Sequence, residues 1–256
     1  MPEPAPPPTT RPAPLSPSAP DPLPAPLPAP LPAPLPASAR RADDRAGRGR
    51  VAVLLVRPLV KAIDWTPLAL VSAFVAVALV SVRAGQPLPP PDALLLMRVA
   101  GTLLGSAAAF ALVDAMSADL GPAPAPRWLR QALRCLLAGG AAVAVWLAAF
   151  RYVLSRLPDG SLFPIGDLLV EMGVCLGIGL AAAATAVRLA PGRQAAMAAV
   201  VVQLVLVLAT VLLPDRIRLW PPTCGFGSWD EAHAFWRWLL AAPYAWLALA
   251  CRDLRR

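Results

Sequence analysis

The segment FPIGDLLVEMG, residues 163–173, places two carboxylates in a stretch that is otherwise apolar enough for a membrane. Asp167 and Glu171 are four residues apart, so a helix carries both on one face. Ionisable groups inside a bilayer are costly and face the interior of a helix bundle or water. One interpretation is a cation or proton site, or the polar lining of a substrate path. The alternative is that Asp167 lies at the wet interface and Glu171 pairs with an arginine of a neighbouring helix, the candidates being Arg98, Arg151 and Arg237.

Two of these arginines, Arg98 and Arg237, fall within apolar stretches themselves. Their long side chains either extend to the membrane interface or bind a substrate anion. Together with Asp167 and Glu171 they form the predicted set of polar pathway residues.

The sequence contains no motif that marks a catalytic centre. Ser106 and the single histidine, His233, lack the GxSxG elbow of a serine nucleophile. The four cysteines form no CxxC pair, and neither an HExxH helix nor a P-loop is present. We therefore predict a protein that is not an enzyme, with no catalytic residue, no metal site, no cofactor and no ATP-binding P-loop of its own.

The composition defines the class of protein that must position these residues. Of the 256 residues, 57% are hydrophobic and 15% are charged, and the mean hydropathy is +0.60. A soluble domain carries more charge than this. The net charge is +8, all the basic residues except Lys61 are arginines, and these lie mostly outside the apolar stretches, which indicates membrane topology and not a nucleic-acid surface.

The apolar stretches predict an all-α, polytopic membrane bundle, because a helix needs about 20 apolar residues to cross the hydrocarbon core. A shorter segment, 51–64, is interrupted by Arg57, Pro58 and Lys61 and is expected to lie along the membrane as an interfacial helix. Two small-residue patterns, GTLLG and GVCLG, are typical of close helix packing. The predicted spans are 66–82, 94–113, 135–154, 165–187, 194–213 and 232–251.

The first 49 residues are predicted to be a disordered cytoplasmic tail. Pro recurs throughout this region, and PLPA is repeated. Pro lacks an N–H group and fixes φ, which favours an extended polyproline-like chain over helix or sheet. The predicted organisation is therefore a tail over 1–49 and a six-helix transmembrane domain over 50–256.

The arginines also predict orientation. With the N-terminus inside, 16 Lys and Arg residues fall on the inner side and 5 on the outer side. Because cytoplasmic loops carry the excess of positive charge, we expect a multi-pass protein of the cell membrane with both termini in the cytoplasm.

Three segments carry a resemblance to a known family. They are RVAVLLVRPLVKAIDW before the first span, DAMSADLGPAPAPRWLRQALR between spans two and three, and PDRIRLWPPTCGFGSWDEAHAFW before the last span. This layout resembles the type-2 ABC exporter permease family. The resemblance implies an elbow helix, an ATPase-docking loop and short outer helices that plug the pore. The residues implied for docking are Asp119, Arg127, Arg130 and Arg134.

The resemblance further implies a permease subunit that works as a homo- or heterodimer, energised by a cytosolic ATP-binding subunit on another chain. Two alternatives stay open from the residues themselves. One is a membrane scaffold or assembly protein that recruits a partner through the Pro-rich tail. The other is a secondary transporter that uses Asp167 and Glu171.

Overall fold

The computed structural model describes residues 53–113, 127–161, 163–189, 193–212, 219–221 and 228–252. The predicted tail over 1–49 and the docking residue Asp119 lie outside this range. Within it, all regular structure is helical, which confirms the all-α prediction for the described residues. The helices are α1 Val53–Ala62, α2 Thr66–Ser81, α3 Pro90–Ala109, α4 Arg127–Leu154, α5 Ile165–Leu189, α6 Arg193–Leu212, α7 Ser228–Leu239 and α8 Ala241–Ala250, and a 3₁₀ turn, Phe110–Leu112, extends α3.

Three of the described helices are long and apolar enough to cross a membrane, namely Pro90–Leu112, Trp128–Leu154 and Ile165–Leu189. Helices α1 and α2 meet at 72° and count as a fourth span if the bent pair is taken together. This confirms the prediction of a helical protein with helices that are long and apolar enough to cross a membrane. The six-span arrangement stays a prediction, since the apolar part of α6, Gln194–Thr210, is shorter than the span-length helices.

The predicted sixth span is divided into α7 and α8, of 12 and 10 residues. Pro243 explains the break, because it stands at the third position of α8. A proline ring collides with the carbonyl four residues earlier, here that of Leu239, and supplies no N–H to it. A continuous helix across Leu240 is therefore disfavoured.

Helix α5 lies at the centre of the bundle and packs on α3, α6 and α8, while α3 also packs on α2 and α4. Small residues permit these contacts. A Cβ atom at Gly179 would lie 2.7 Å from the carbonyl oxygen of Gly105, so the α3 and α5 backbones nearly touch. Gly177 has the same role against α8, where its Cβ would lie 3.1 Å from Tyr244. Both small-residue patterns of the sequence thus lie at helix contacts, as close packing requires.

Two arginines join helix ends across the bundle. Arg156, just after α4, donates from Nη1 to the carbonyls of Leu79 (2.9 Å) and Val82 (3.0 Å), and from Nη2 to those of Arg83 and Gln86. At the C-terminal end of α5, Arg188 donates to the carbonyl of Leu249, in the last turn of α8, and to that of Arg252 just after this helix. Each guanidinium donates to carbonyls at or just beyond the end of a helix, where most have no partner within the helix.

Candidate functional site

A buried ion pair joins the two central helices. Arg98, in the third turn of α3, and Glu171, in the second turn of α5, form two parallel hydrogen bonds. Nε of Arg98 lies 2.9 Å from Oε2 of Glu171, and Nη2 lies 2.9 Å from Oε1. The two side chains are 5% and 4% exposed. Of the three arginines that the sequence offers as partners of Glu171, the structure selects Arg98.

The rest of the Arg98 guanidinium is also satisfied. Its Nη1 donates to the carbonyl of Pro221 at 2.8 Å. The guanidinium carbon lies 5.8 Å from the ring centre of Trp220 and 5.7 Å from that of Trp229, both within cation–π range. A cation removed from water needs such a complete set of partners. The site therefore binds the segment around Trp220 to α3.

His233 on α7 completes the cluster from the other side. Its ring is fully buried and stacks on Trp229 with the ring centres 4.1 Å apart. Nδ1 lies 2.8 Å from the Trp229 carbonyl, and Nε2 lies 2.9 Å from Oε1 of Glu171. A carbonyl only accepts, and Glu171 accepts two N–H groups from Arg98 as a carboxylate. Both nitrogens of His233 must then donate, which makes the ring an imidazolium.

The surroundings of His233 agree with this protonation state. His233 lies on α7, which has 12 residues and is shorter than the helices long enough to cross a membrane. Burial lowers the pKa of His233, while the hydrogen bond to Glu171, the Trp229 carbonyl and the charges of Glu171 and Asp167 raise it. The raising influences prevail, so the pKa of His233 lies above its ordinary value.

Asp167 forms the outer layer of the site. Its Oδ2 accepts from Nε1 of Trp229 at 2.8 Å, and its Oδ1 lies 3.4 Å from Nη1 of the exposed Arg237. Residues 229, 233 and 237 of α7 are each four apart and face the two carboxylates of α5, themselves four apart. Helix α7 is therefore attached to the start of α5 by a row of polar contacts.

The structure thus brings the four predicted pathway residues together: Arg98, Asp167, Glu171 and Arg237. It adds His233 and Trp229, which the sequence reasoning did not include. The sequence signal for these two residues was the four-residue spacing of polar and aromatic side chains that α7 (229, 233, 237) shares with α5 (167, 171). The arrangement can hold a proton on His233 between two acceptors. Among the described residues, no group of three or more His, Cys, Asp or Glu side chains could hold a metal ion.

The three described docking residues, Arg127, Arg130 and Arg134, all lie at the start of α4. Arg127 begins α4, and Arg130 is half-buried in its first turn. Arg134 is buried in the second turn, with 3% of its surface exposed, and does not lie in an exposed loop. The docking prediction is therefore carried forward for Arg127 and Arg130.

No protein-family model, curated protein or solved structure matches the chain.

Proposed function

We propose that the chain is a membrane-spanning permease subunit of an ABC-type exporter, energised by an ATPase on a separate chain. One observation carries the proposal: the short helix α1 meets α2 at 72° at the start of a bundle with three span-length helices. This angle turns α1 towards the membrane plane when α2 crosses the bilayer. An elbow of this kind is what the resemblance to type-2 exporter permeases leads us to expect.

The residues of α1 suit a position at the membrane surface. Val53 and Leu54 are 73% and 75% exposed, while Leu59 is buried. Arg57 and Lys61 are also exposed and supply the basic face typical of interfacial helices. The bend itself is held locally, because Nε1 of Trp65 donates to the Val60 carbonyl at 2.7 Å.

The experiment is purification of the tagged full-length chain from native membranes in mild detergent, followed by mass spectrometry of co-purifying proteins. We expect a stoichiometric cytosolic protein with a P-loop. Arg127→Glu combined with Arg130→Glu should abolish this association, since both positions reverse charge at the start of α4. Arg151→Glu, in the last turn of the same helix, is the matched control and should leave the complex intact.

An assembled complex with normal export in the Arg127→Glu, Arg130→Glu variant would contradict the docking interface. Absence of any ATPase from the purified material would contradict the permease proposal itself. Deletion of residues 1–49 separates the scaffold alternative, which predicts loss of function with normal membrane insertion.

A second candidate function is a proton-coupled carrier, and the geometry of His233 favours it. The imidazolium is buried between a carbonyl and Glu171 and so stores a proton inside the bundle. Such a carrier would dissipate a pH gradient in liposomes that contain the purified chain without any ATPase. Glu171→Gln should abolish that flux. A pH gradient that stays unchanged in liposomes with the wild-type chain would contradict the carrier.

A further inference from the structure

Two adjoining cavities, each of about 570 Å³, form a groove on one side of α5. Val143, Leu176 and Tyr244 line both cavities and join them. Along α5 the lining runs from Leu169 to Leu180. At 1.5 Å of rise per residue this is about 16 Å, close to half of the roughly 30 Å hydrocarbon core. The groove therefore has the length of one leaflet's acyl chains.

The groove exists because α4 and α8 stand on either side of α5 without filling the space between them. Helix α4 packs mainly on α3, and α8 packs on α5. The facing positions are small: Gly139 and Gly140 on α4, and Ala248 on α8. A Cβ atom at Gly140 would meet nothing within 4 Å. Gly140, Tyr244 and Ala248 are exposed, so the groove opens to the surroundings of the bundle, and its apolar walls suit an apolar occupant.

One end of the groove carries a positive charge. Of the described residues that line the two cavities, Arg237 is the one with a charged side chain, and it lines the cavity nearer the start of α5. Its side chain is 55% exposed, and one of its nitrogens, Nη1, lies 3.4 Å from Asp167. The other guanidinium N–H groups can donate to a ligand. Asp167 is in the first turn of α5, so this end of the groove lies near the end of the span, where lipid headgroups are found.

We propose that this groove binds an anionic phospholipid, with an acyl chain along α5 and the phosphate at Arg237. The cavity volumes lie within the range of ligand pockets, about 300–1,000 Å³. The apolar walls match hydrocarbon, and the planar guanidinium is the side chain best suited to phosphate oxygens. A free phosphate would use Arg237 alone, whereas a lipid uses the charge and the groove together. The lipid site does not depend on whether the chain is a permease.

The test is native mass spectrometry of the full-length protein titrated with phosphatidylglycerol and phosphatidylcholine of identical chains. We expect one bound lipid and a preference for phosphatidylglycerol of about fivefold, the usual effect of one basic side chain near an anionic headgroup. Arg237→Gln should weaken the binding of both lipids, since both carry the phosphate, and should remove the preference for phosphatidylglycerol. Arg83→Gln is the charge control, since Arg83 is exposed, pairs with Asp92 and does not line the groove.

Two variants fill the groove from opposite walls, Gly140→Leu from α4 and Ala248→Leu from α8. Either should reduce binding of both lipids at least tenfold. Ala248→Leu serves as the test if Gly140→Leu does not fold. Inorganic phosphate should not displace the bound lipid. Equal binding of the two lipids by the wild-type chain would overturn the proposal. Unchanged binding in the filled variants, or an equal effect of Arg83→Gln and Arg237→Gln, would also overturn it.

Discussion

Arg98 and Arg156 both place a guanidinium among apolar helices, but they satisfy it in different ways. Arg98 is 5% exposed at its side chain and is neutralised by Glu171. Arg156 donates to four backbone carbonyls at the end of α2 and the loop that follows. None of the described carboxylates forms an ion pair with Arg156.

The difference follows from position along a helix. The last carbonyls of a helix have no N–H partners within it and lie at the negative end of the dipole, so they can solvate a cation. In the third turn of α3 the backbone carbonyls are already bonded within the helix. A guanidinium there needs a carboxylate from elsewhere, and α5 supplies it. The predictions below test this distinction, from the largest expected effect to the smallest.

Removal of one partner of the buried pair should have the largest effect. Glu171→Met leaves the buried guanidinium of Arg98 and the imidazolium of His233 without their carboxylate, and we expect a loss of about 3–5 kcal/mol in the free energy of unfolding. Arg98→Met should lose less, because Glu171 keeps His233 as a charged partner. The double variant Arg98→Met, Glu171→Met should lose less than Glu171→Met alone, because the guanidinium is removed together with its carboxylate and His233 can give up its proton. Equilibrium unfolding in mixed lipid–detergent micelles measures both. A double variant that loses as much as the two single variants combined would contradict the pairing.

Arg156→Gln should have a smaller effect. The carbonyls that lose their donors lie beside the α2–α3 loop, where water can replace the guanidinium, so we expect about 1–3 kcal/mol. Arg156→Lys should recover only part of this loss, since an ammonium lacks the planar fork that contacts several carbonyls. The same unfolding measurement applies. Full recovery by lysine would mean that charge, and not geometry, satisfies this helix end.

His233 makes stability depend on pH. Its pKa is raised in the folded protein, so folding binds the proton more tightly and the imidazolium stabilises the fold. This stabilisation is fully present below about pH 6.5, the ordinary pKa, and is lost as the pH rises through the folded-state pKa. The expected slope is about 1.4 kcal/mol per pH unit across that window. His233→Gln should flatten it, and an unchanged slope in that variant would contradict the imidazolium assignment.

The smallest effect is expected at the tryptophans around Arg98. Trp229→Phe keeps an aromatic ring against His233 but removes the Nε1 hydrogen bond to Asp167, at a cost of about 1 kcal/mol. Trp220→Phe is the matched control, because Nε1 of Trp220 has no hydrogen-bond partner among the residues that the structure describes. Unfolding midpoints compare the two variants. An equal loss from both would show that the Asp167 hydrogen bond contributes nothing.

Much of the fold follows from local patterns. The predicted spans 94–113, 135–154 and 165–187 correspond to α3, α4 and α5, because long apolar stretches bounded by Pro and charge leave few alternatives in a membrane. The break within the predicted sixth span was missed, although Pro243 was visible. Composition over 20 residues detects apolarity, whereas the interruption depends on one residue that removes one hydrogen bond.

The sequence by itself determined the apolar helices, the bend before the bundle and the placement of Asp167 and Glu171 on one helix face, because these depend on residues close together along the chain. Only the tertiary structure decided that Arg98 is the partner of Glu171 and that His233 joins them. The two residues lie 73 and 62 positions from Glu171. Contacts over such separations are set by which helices pack together and at what height, and no local pattern encodes that choice.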